Sequence, residues 1–349
     1  MMNKMKKWTL AVIAICGASV LISCSLDNSD NPADNPEKQA ETFSIVTLNV
    51  DGLPQTLNIM GLLEVDVNKD GPGKEWTPTI SQYLANKGYD FMFVQENFDY
   101  NEELSSALLA NYERDVWNGG FDLEKMVDGC FPFDGLNGFW KKGITAHRTD
   151  SVKWTASYGV MEHAWDGIVT KGFRRYDVKL KGGAELVIYN MHMDASDSDD
   201  EVAGEDGPDR EARMVQWRQL RDYILEHLDT RPVIVAGDLN SWYARDSIKT
   251  QFIDYIGQTG LATVSDVWIE LERGGNYPEM VQGIVTKDDI PYEESRNGET
   301  LDKILYLNPT NGAQLVPVSV SIDRTGYLRT DGVTPLGDHY PLAVTFQIK

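Results

Sequence analysis

The residues best suited to chemistry in this chain stand at the ends of short apolar runs. Asn49 follows "FSIVTL", Glu96 follows "FMFVQ", His192 lies in "VIYNMHM", and Asp238 and Asn240 close "VIVAGDLN". Asp302 opens "LDKILY", and Asp338 with His339 in "GDHYPL" precedes the last apolar run. Taken singly, Gly, Asp and Asn are what a chain uses to leave a strand, and Glu96 alone could be a cap or a surface acid. Taken together, their types fit one reaction. Carboxylates and carboxamides hold hard cations such as magnesium, which takes few protein oxygens and keeps several waters. Glu96 is the best candidate ligand, because an unpaired carboxylate after a wholly apolar strand is costly. A histidine beside an acidic partner can take a proton from water, while Asn or a second His can hold a phosphoryl oxygen as charge grows on it. With a cation neutralising the leaving oxygen, these are the parts for hydrolysing a phosphate ester without a covalent intermediate.

Such side chains meet only if strand ends converge, as they do on one rim of layered α/β folds. The apolar pattern supplies the strands: residues 43–50, 91–98, 184–193 and 232–240 are short apolar runs with polar ends. Further strand candidates are "GITAHRT", "FRRYDVKL", "LDKILYL" and "PLAVTFQI". Residues 208–228 place Met214, Trp217, Leu220, Ile224 and Leu228 at three- and four-residue steps, the apolar stripe of a helix lying on a sheet. Strands alternating with helices, then strands again, imply an α/β layered domain of about 300 residues. The acidic segment 194–207 lacks the spacing and closing Glu of a hand-type calcium loop and reads as a solvated excursion.

Five segments, "LNVDGLP", "QENF", "GDLN", "LDKILY" and "GDHYPL", occur in that order over residues 42–349, with the histidine run between the second and third. In this the chain resembles the endonuclease/exonuclease/phosphatase superfamily. The resemblance implies an α/β (α+β) four-layer sandwich of DNase I-like type: two packed, mainly antiparallel β-sheets flanked by helices, with the site at one end. It implies a divalent cation, Mg2+ or else Mn2+ or another divalent ion, held chiefly by Glu96 with Asn49, Asp51 and Asp338 near it. His339 is then the general base, oriented by Asp302, while Asp238 positions or polarises the attacking water and Asn240 and His192 contact the phosphoryl group. Met191 departs from the pattern, since many members carry Thr before that histidine.

The segment "WDGIVTKGF", with Asp166 five positions before Lys171, is similar to the Asp-to-Lys loop beside the site of neutral sphingomyelinases; the alternative is a hairpin turn with a solvated lysine. "REARMVQWRQLRDYI" resembles the Arg- and Gln-bearing helix of the same branch. The implied activity is a phosphodiesterase of sphingomyelinase C type, releasing ceramide and a phosphorylated head group. Three alternatives stay open: a nuclease on the same fold, a phosphatase acting on inositol phosphates or other small phosphoesters, and a non-catalytic surface binding lipoprotein.

A net charge of −22 repels polyphosphate backbones, and no run of Lys and Arg supplies a basic groove. Nucleic acid is therefore not an expected partner, whereas a zwitterionic phospholipid or another phosphoester is. Residues 1–23 read as an export leader, with Lys4, Lys6 and Lys7 before an apolar run too short to span a bilayer. "LISC" resembles the lipobox of bacterial lipoproteins, which makes Cys24 the acylated N-terminus and membrane anchor. Residues 24–41 then form an acidic tether rich in Pro and Asn, and residues 42–349 the folded domain. An acidic stretch after the cysteine resembles the display signal of bacteroidetes-type lipoproteins, so the expected address is the outer membrane, on the cell surface. Loss of the leader takes the charge from −22 to −25, because three lysines and no acid leave. With Cys16 removed and Cys24 acylated, Cys130 remains alone, which excludes an intramolecular disulfide and leaves it as a packed residue. Phe139 and Trp140 in "GLNGFWKKG" are either membrane-touching aromatics or core. No segment is patterned as a dimer helix, and a monomer is expected.

Overall fold

The computed structural model describes residues 40–59, 63–121, 126, 130–158, 169–195, 207–279 and 298–349. The chain begins with β1 (Glu41–Asn49), the hairpin β2 (Thr56–Ile59) and β3 (Leu63–Asp66), α1 (Gly73–Lys87), β4 (Phe91–Gln95) and the short α2 (Asn101–Ser105). It continues through β5 (Tyr112–Arg114), β6 (Asn137–Lys141), β7 (Thr145–Lys153), β8 (Gly172–Lys179), β9 (Glu185–His192), α3 (Pro208–His227) and β10 (Val233–Asp238). A π-helical turn, Lys249–Ile253, runs into α4 (Asp254–Thr259), followed by β11 (Ala262–Asp266), α5 (Val267–Leu271), β12 (Asp302–Pro309), β13 (Leu315–Ile322) and β14 (Leu342–Ile348).

Two six-stranded sheets result, ordered β13-β14-β1-β4-β6-β5 and β11-β12-β10-β9-β8-β7. Each has one parallel pair at its centre, β1 with β4 and β9 with β10, and its other pairings are antiparallel. A parallel pair needs a crossover connection, and here each crossover contains a helix, α1 in the first sheet and α3 in the second.

Side-chain alternation sorts the residues into four layers. In β4, Phe91 and Phe93 face the second sheet's Tyr176, Ile188 and Ile234, while Met92 and Val94 face Ile80 and Leu84 of α1. In β10, Ile234 and Ala236 join the inter-sheet core, and Val233 and Val235 pack with Trp217, Leu220 and Ile224 of α3. Strands covered on both faces read as continuous apolar runs, which is why these two lack a polar alternation. The stripe anticipated on α3 is buried at Met214, Trp217, Leu220 and Ile224, and Leu228 packs half-buried just past the helix end.

A buried amide network locks the sheets together beneath the site-bearing ends. Gln95 Nε2 donates to Asn190 Oδ1 at 2.7 Å, and Asn190 Nδ2 donates to the carbonyls of Val94 at 3.1 Å and Asn137 at 2.9 Å. Thr47 Oγ1 donates in turn to Gln95 Oε1 at 3.3 Å. A satisfied buried network of this kind fixes one relative register of the elements it joins.

The structure decides one open alternative and adds one strand. Phe139 and Trp140 lie on β6 and are buried, Phe139 beneath α1 and Trp140 between the sheets with Nε1 donating to Glu113, so neither is a membrane-facing aromatic. Strand β13 was not anticipated: it is an edge strand interrupted by Pro317, with Val316 and Val318 exposed, and edges are where sheets tolerate proline. No helix among the described residues is long and apolar enough to cross a membrane.

Candidate active site

The site grows from the C-terminal ends of the two parallel pairs. Registers place Asn49 opposite Gln95 in the first sheet, and Asp238 between His192 and Asp302 in the second. Gly237 lets β10 approach β9 closely, since a Cβ there would overlap the Met191 carbonyl oxygen. As the strands end, the backbone turns sharply. Asp51 (φ +52°), Glu96 (φ +52°) and Asn240 (φ +45°) adopt left-handed conformations; among the described residues the other non-glycine to do so is Tyr100. Each such residue costs on the order of 1–3 kcal/mol and persists only where its surroundings over-determine it. Side chains supply that constraint: Asp51 N–H donates to Asn49 Oδ1 at 2.9 Å, and Asn240 N–H to Asp238 Oδ1 at 3.1 Å.

Asp238, buried, is the hub. Its Oδ2 accepts from Asn49 Nδ2 at 3.1 Å and lies 3.5 Å from His192 Nε2 and 3.6 Å from His339 Nε2. The same Asn49 amide donates to Glu96 Oε1 at 2.9 Å, and His192 Nε2 lies 3.9 Å from that oxygen. Asp302 Oδ2 meets His339 Nδ1 at 2.7 Å, leaving His339 Nε2 turned to Asp238. Glu96 and His339, 243 positions apart in the numbering, therefore share one pocket through Asp238 and Asn49. Asn68, absent from the sequence reading, donates to the Asp51 carboxylate and backbone carbonyl.

The electrostatics divide the two imidazoles. Burial, then the Lys171 ammonium, hold His192 well below its ordinary value, so it is neutral. Burial alone would lower His339, but the carboxylates of Asp302, Asp238 and Asp338 outweigh it and hold that group well above its ordinary value. Burial is opposed at Asp238 too, where His339, the Asn49 amide and Lys171 keep the carboxyl below its usual range. The remaining acids crowd one another. Burial and the charge of Asp338 push Glu96 up to about 7 and, with Glu96 itself, Asp51 up to about 8. Burial likewise raises Asp302 to about 6 against the pull of His339.

Carboxylates crowded closely enough to raise one another's pKa are the expected state of a cation site. Asp51, Glu96 and Asp338 offer hard oxygens, the donor type a small divalent cation takes. Asp238, Asp302 and His339 form a second donor group, with one ligating atom from each within 4.8 Å of the others. Asn49 directs its amide nitrogen at Glu96 and Asp238 and its oxygen at the Asp51 amide, so it orients the acids. Lys171 is buried beside the site rather than solvated, with Nζ 3.4 Å from the Met193 carbonyl that also accepts from Asn240 Nδ2 at 3.1 Å. Asp166 and Cys24 lie outside the described residues, as do the leader, nearly all of the tether and most of the acidic segment 194–207.

Fold and site together bring onto one rim the residue types that metal-assisted phosphoester hydrolysis uses. The chain belongs to the Endonuclease/Exonuclease/phosphatase family, which it matches over residues 46–306; its members are generally phosphoester-cleaving and divalent-metal dependent. The chain is 28% identical over 312 residues to a Mycobacterium tuberculosis protein named Sphingomyelinase, a match covering 87% of this chain and 52% of that protein. It thus spans about half the length of the curated relatives it matches. Among solved structures it is similar to the endonuclease/exonuclease/phosphatase from Bacteroides vulgatus, with TM-score 0.53 and 17% identity over 88% of this chain and 100% of that one. It is also similar to D. rerio TDP2 complexed with a single-strand DNA product, with TM-score 0.54 and 17% identity over 87% of this chain and 98% of that one. These likenesses establish the DNase I-like fold.

Proposed function

We propose that this protein is a magnesium-dependent phosphodiesterase of sphingomyelinase type, hydrolysing a sphingophospholipid to ceramide and a phosphorylated head group. The observation that carries the hydrolysis is the Asp238 carboxylate set between a neutral His192 and a strongly basic His339. The sphingomyelinase branch is supported by the mycobacterial relative and by the burial of Lys171 beside the site.

In this reading Glu96, Asp51 and Asp338 hold the cation, with Asn49 fixing the angle of Glu96. A divalent cation, when bound, offsets the negative field of these acids and neutralises charge on the leaving oxygen. Asp302 anchors His339 through Nδ1 and turns Nε2 toward Asp238, where it would take a proton from water once a cation's charge offsets the acids that raise its pKa. Asp238 orients that water. Asn240 and the neutral His192 donate to the phosphoryl oxygens, where a donor stabilises charge as it develops. The overall charge of −22 favours a zwitterionic head group over a polyphosphate chain.

Incubation with sphingomyelin, plasmid DNA and inositol phosphates, each with and without magnesium, tests the reading. It predicts phosphocholine release from sphingomyelin that chelation abolishes. Cleavage of DNA alone would overturn the substrate and leave the fold untouched. We further propose that the protein is a lipoprotein acylated at Cys24 and displayed on the outer membrane; mass spectrometry of its N-terminal peptide should find the diacylglyceryl cysteine, and an unmodified Cys24 refutes this.

A further inference from the structure

Residues 192–194, where β9 ends, are held through their backbone by several neighbours. The His192 carbonyl accepts from Trp154 Nε1 at 2.7 Å, and Met193 N–H donates to the Asp238 carbonyl at 3.0 Å. The Met193 carbonyl accepts from Asn240 Nδ2 and Lys171 Nζ, so both side chains next to the phosphoryl position take their bearing from one oxygen. That oxygen belongs to the same planar peptide as the Asp194 N–H. The N–H donates to Gln216 Oε1 at 3.0 Å, and Gln216 Nε2 returns a bond to Asp194 Oδ1 at 2.8 Å and another to the Ala156 carbonyl at 2.8 Å. Asp194 Oδ2 accepts from the Tyr158 N–H at 2.7 Å. Gln216 and Asp194 are both fully buried.

We infer that Gln216 of α3 is a positioning residue for Asn240, which contacts the phosphoryl group in the proposed reading, and for Lys171 beside it, acting through the Met193–Asp194 peptide. The inference rests on the hydrolytic reading of the site. A planar peptide cannot turn its carbonyl without turning its N–H, so the Gln216 acceptor fixes where the Met193 oxygen points. Its amide also joins that peptide to the Ala156–Tyr158 segment. A carboxamide is required: Gln216 must accept from one N–H and donate to a carboxylate and a carbonyl, which neither Glu nor an apolar side chain can do. Of the metal-holding acids, Glu96 and Asp51 take their hydrogen bonds from other partners, Asn49 and Asn68.

The test uses Gln216→Glu, which sets a carboxylate against Asp194, and Gln216→Met, which keeps the volume and loses the hydrogen bonds in case the first variant does not fold. With bis(p-nitrophenyl) phosphate as substrate, kcat/KM should fall about 10- to 100-fold, the scale of a misplaced transition-state donor. The magnesium concentration for half-maximal rate should stay within about twofold of the wild type, since the acids are untouched. Combined with Asn240→Ala, Gln216→Met should add less than about twofold to the loss seen for Asn240→Ala alone, because the two act as one unit. Multiplying losses, a rise in the magnesium requirement that tracks the loss of rate, or turnover within twofold of the wild type would each overturn the inference. Amide hydrogen exchange separates this from the functional reading. In Gln216→Met the Asp194 amide should exchange at least about 10-fold faster while β10 amides do not change. If the wild type cleaves no phosphoester, the functional reading fails, and unchanged exchange at Asp194 would sink the positioning role independently.

Discussion

The loop that carries Asn240 away from β10 is anchored by a buried charge whose removal has a calculable cost. Asp246 accepts from Trp242 N–H at 3.0 Å and lies 3.5 Å from Arg213 Nε, 3.6 Å from Arg245 Nη2 and 3.7 Å from Arg210 Nε. Burial would raise its pKa, but Arg213, Arg245, the Trp242 amide and Arg210 prevail and hold it below the usual carboxylate value. Asp246→Asn preserves the shape and the Trp242 bond and removes the charge. Stripping one partner from a buried ion pair costs about 3–5 kcal/mol; the lower end applies here, because the Arg210 side chain is 18% exposed and can turn to water. A loss of about 3 kcal/mol should lower the melting temperature by roughly 6 °C in a domain of this size. The sign with pH follows from the depressed folded value: the stabilisation is complete above the unfolded pKa and is lost as pH falls through the folded one. Urea midpoints of the two proteins should therefore stand furthest apart at pH 6–7 and draw together from about pH 5 downward. A difference below about 1 kcal/mol at pH 7, or one that widens with acid, would refute this reasoning.

Three further outcomes are expected. His339→Ala should lower kcat by at least ~100-fold, the contribution of a positioned general base, and near-normal turnover in a steady-state assay would remove it from that role. Glu96→Gln should raise the magnesium concentration for half-maximal activity about 10-fold or more, measured by titrating the metal at fixed substrate; an unchanged requirement assigns the ion elsewhere. Asn190→Leu leaves Gln95 Nε2 and the Val94 and Asn137 carbonyls without this partner between the sheets. It should destabilise the protein by about 3 kcal/mol in urea unfolding, and a neutral effect would show that the amide network does not lock the sheets.

The chemistry of the site was more legible than its geometry. Strands buried on both faces announce themselves as apolar runs, so a carboxylate such as Glu96 or Asp238 at their tips stands out against its surroundings. The helix stripe from Met214 to Ile224 was visible for a similar reason, because burial on one face imposes a period. Edge strand β13 was not, since Pro317 and its exposed valines break the alternation that identifies a strand. Nor could sequence disclose the left-handed backbone at Asp51, Glu96 and Asn240, which arises where strand ends from two sheets close on one another. Lys171 was flagged by the likeness of its segment to a loop beside the site, while its residue type alone reads as solvated; packing buries it beside His192 and Asp238. Asn68 carries no sequence signal of its function, and for Gln216 the likeness of its helix pointed to the element but not to the role, because each acts on a neighbour's backbone or carboxylate that folding brings to it.

The central claim is that the acids around Asp238 enclose a divalent cation within reach of His339. Anomalous diffraction from crystals soaked in Mn2+ tests it most directly. The account predicts an ion about 2 Å from a Glu96 carboxylate oxygen, in the same cleft as His339 Nε2. Manganese bound elsewhere on the acidic surface, with no peak at Glu96 in an enzyme that still hydrolyses its ester, would contradict it.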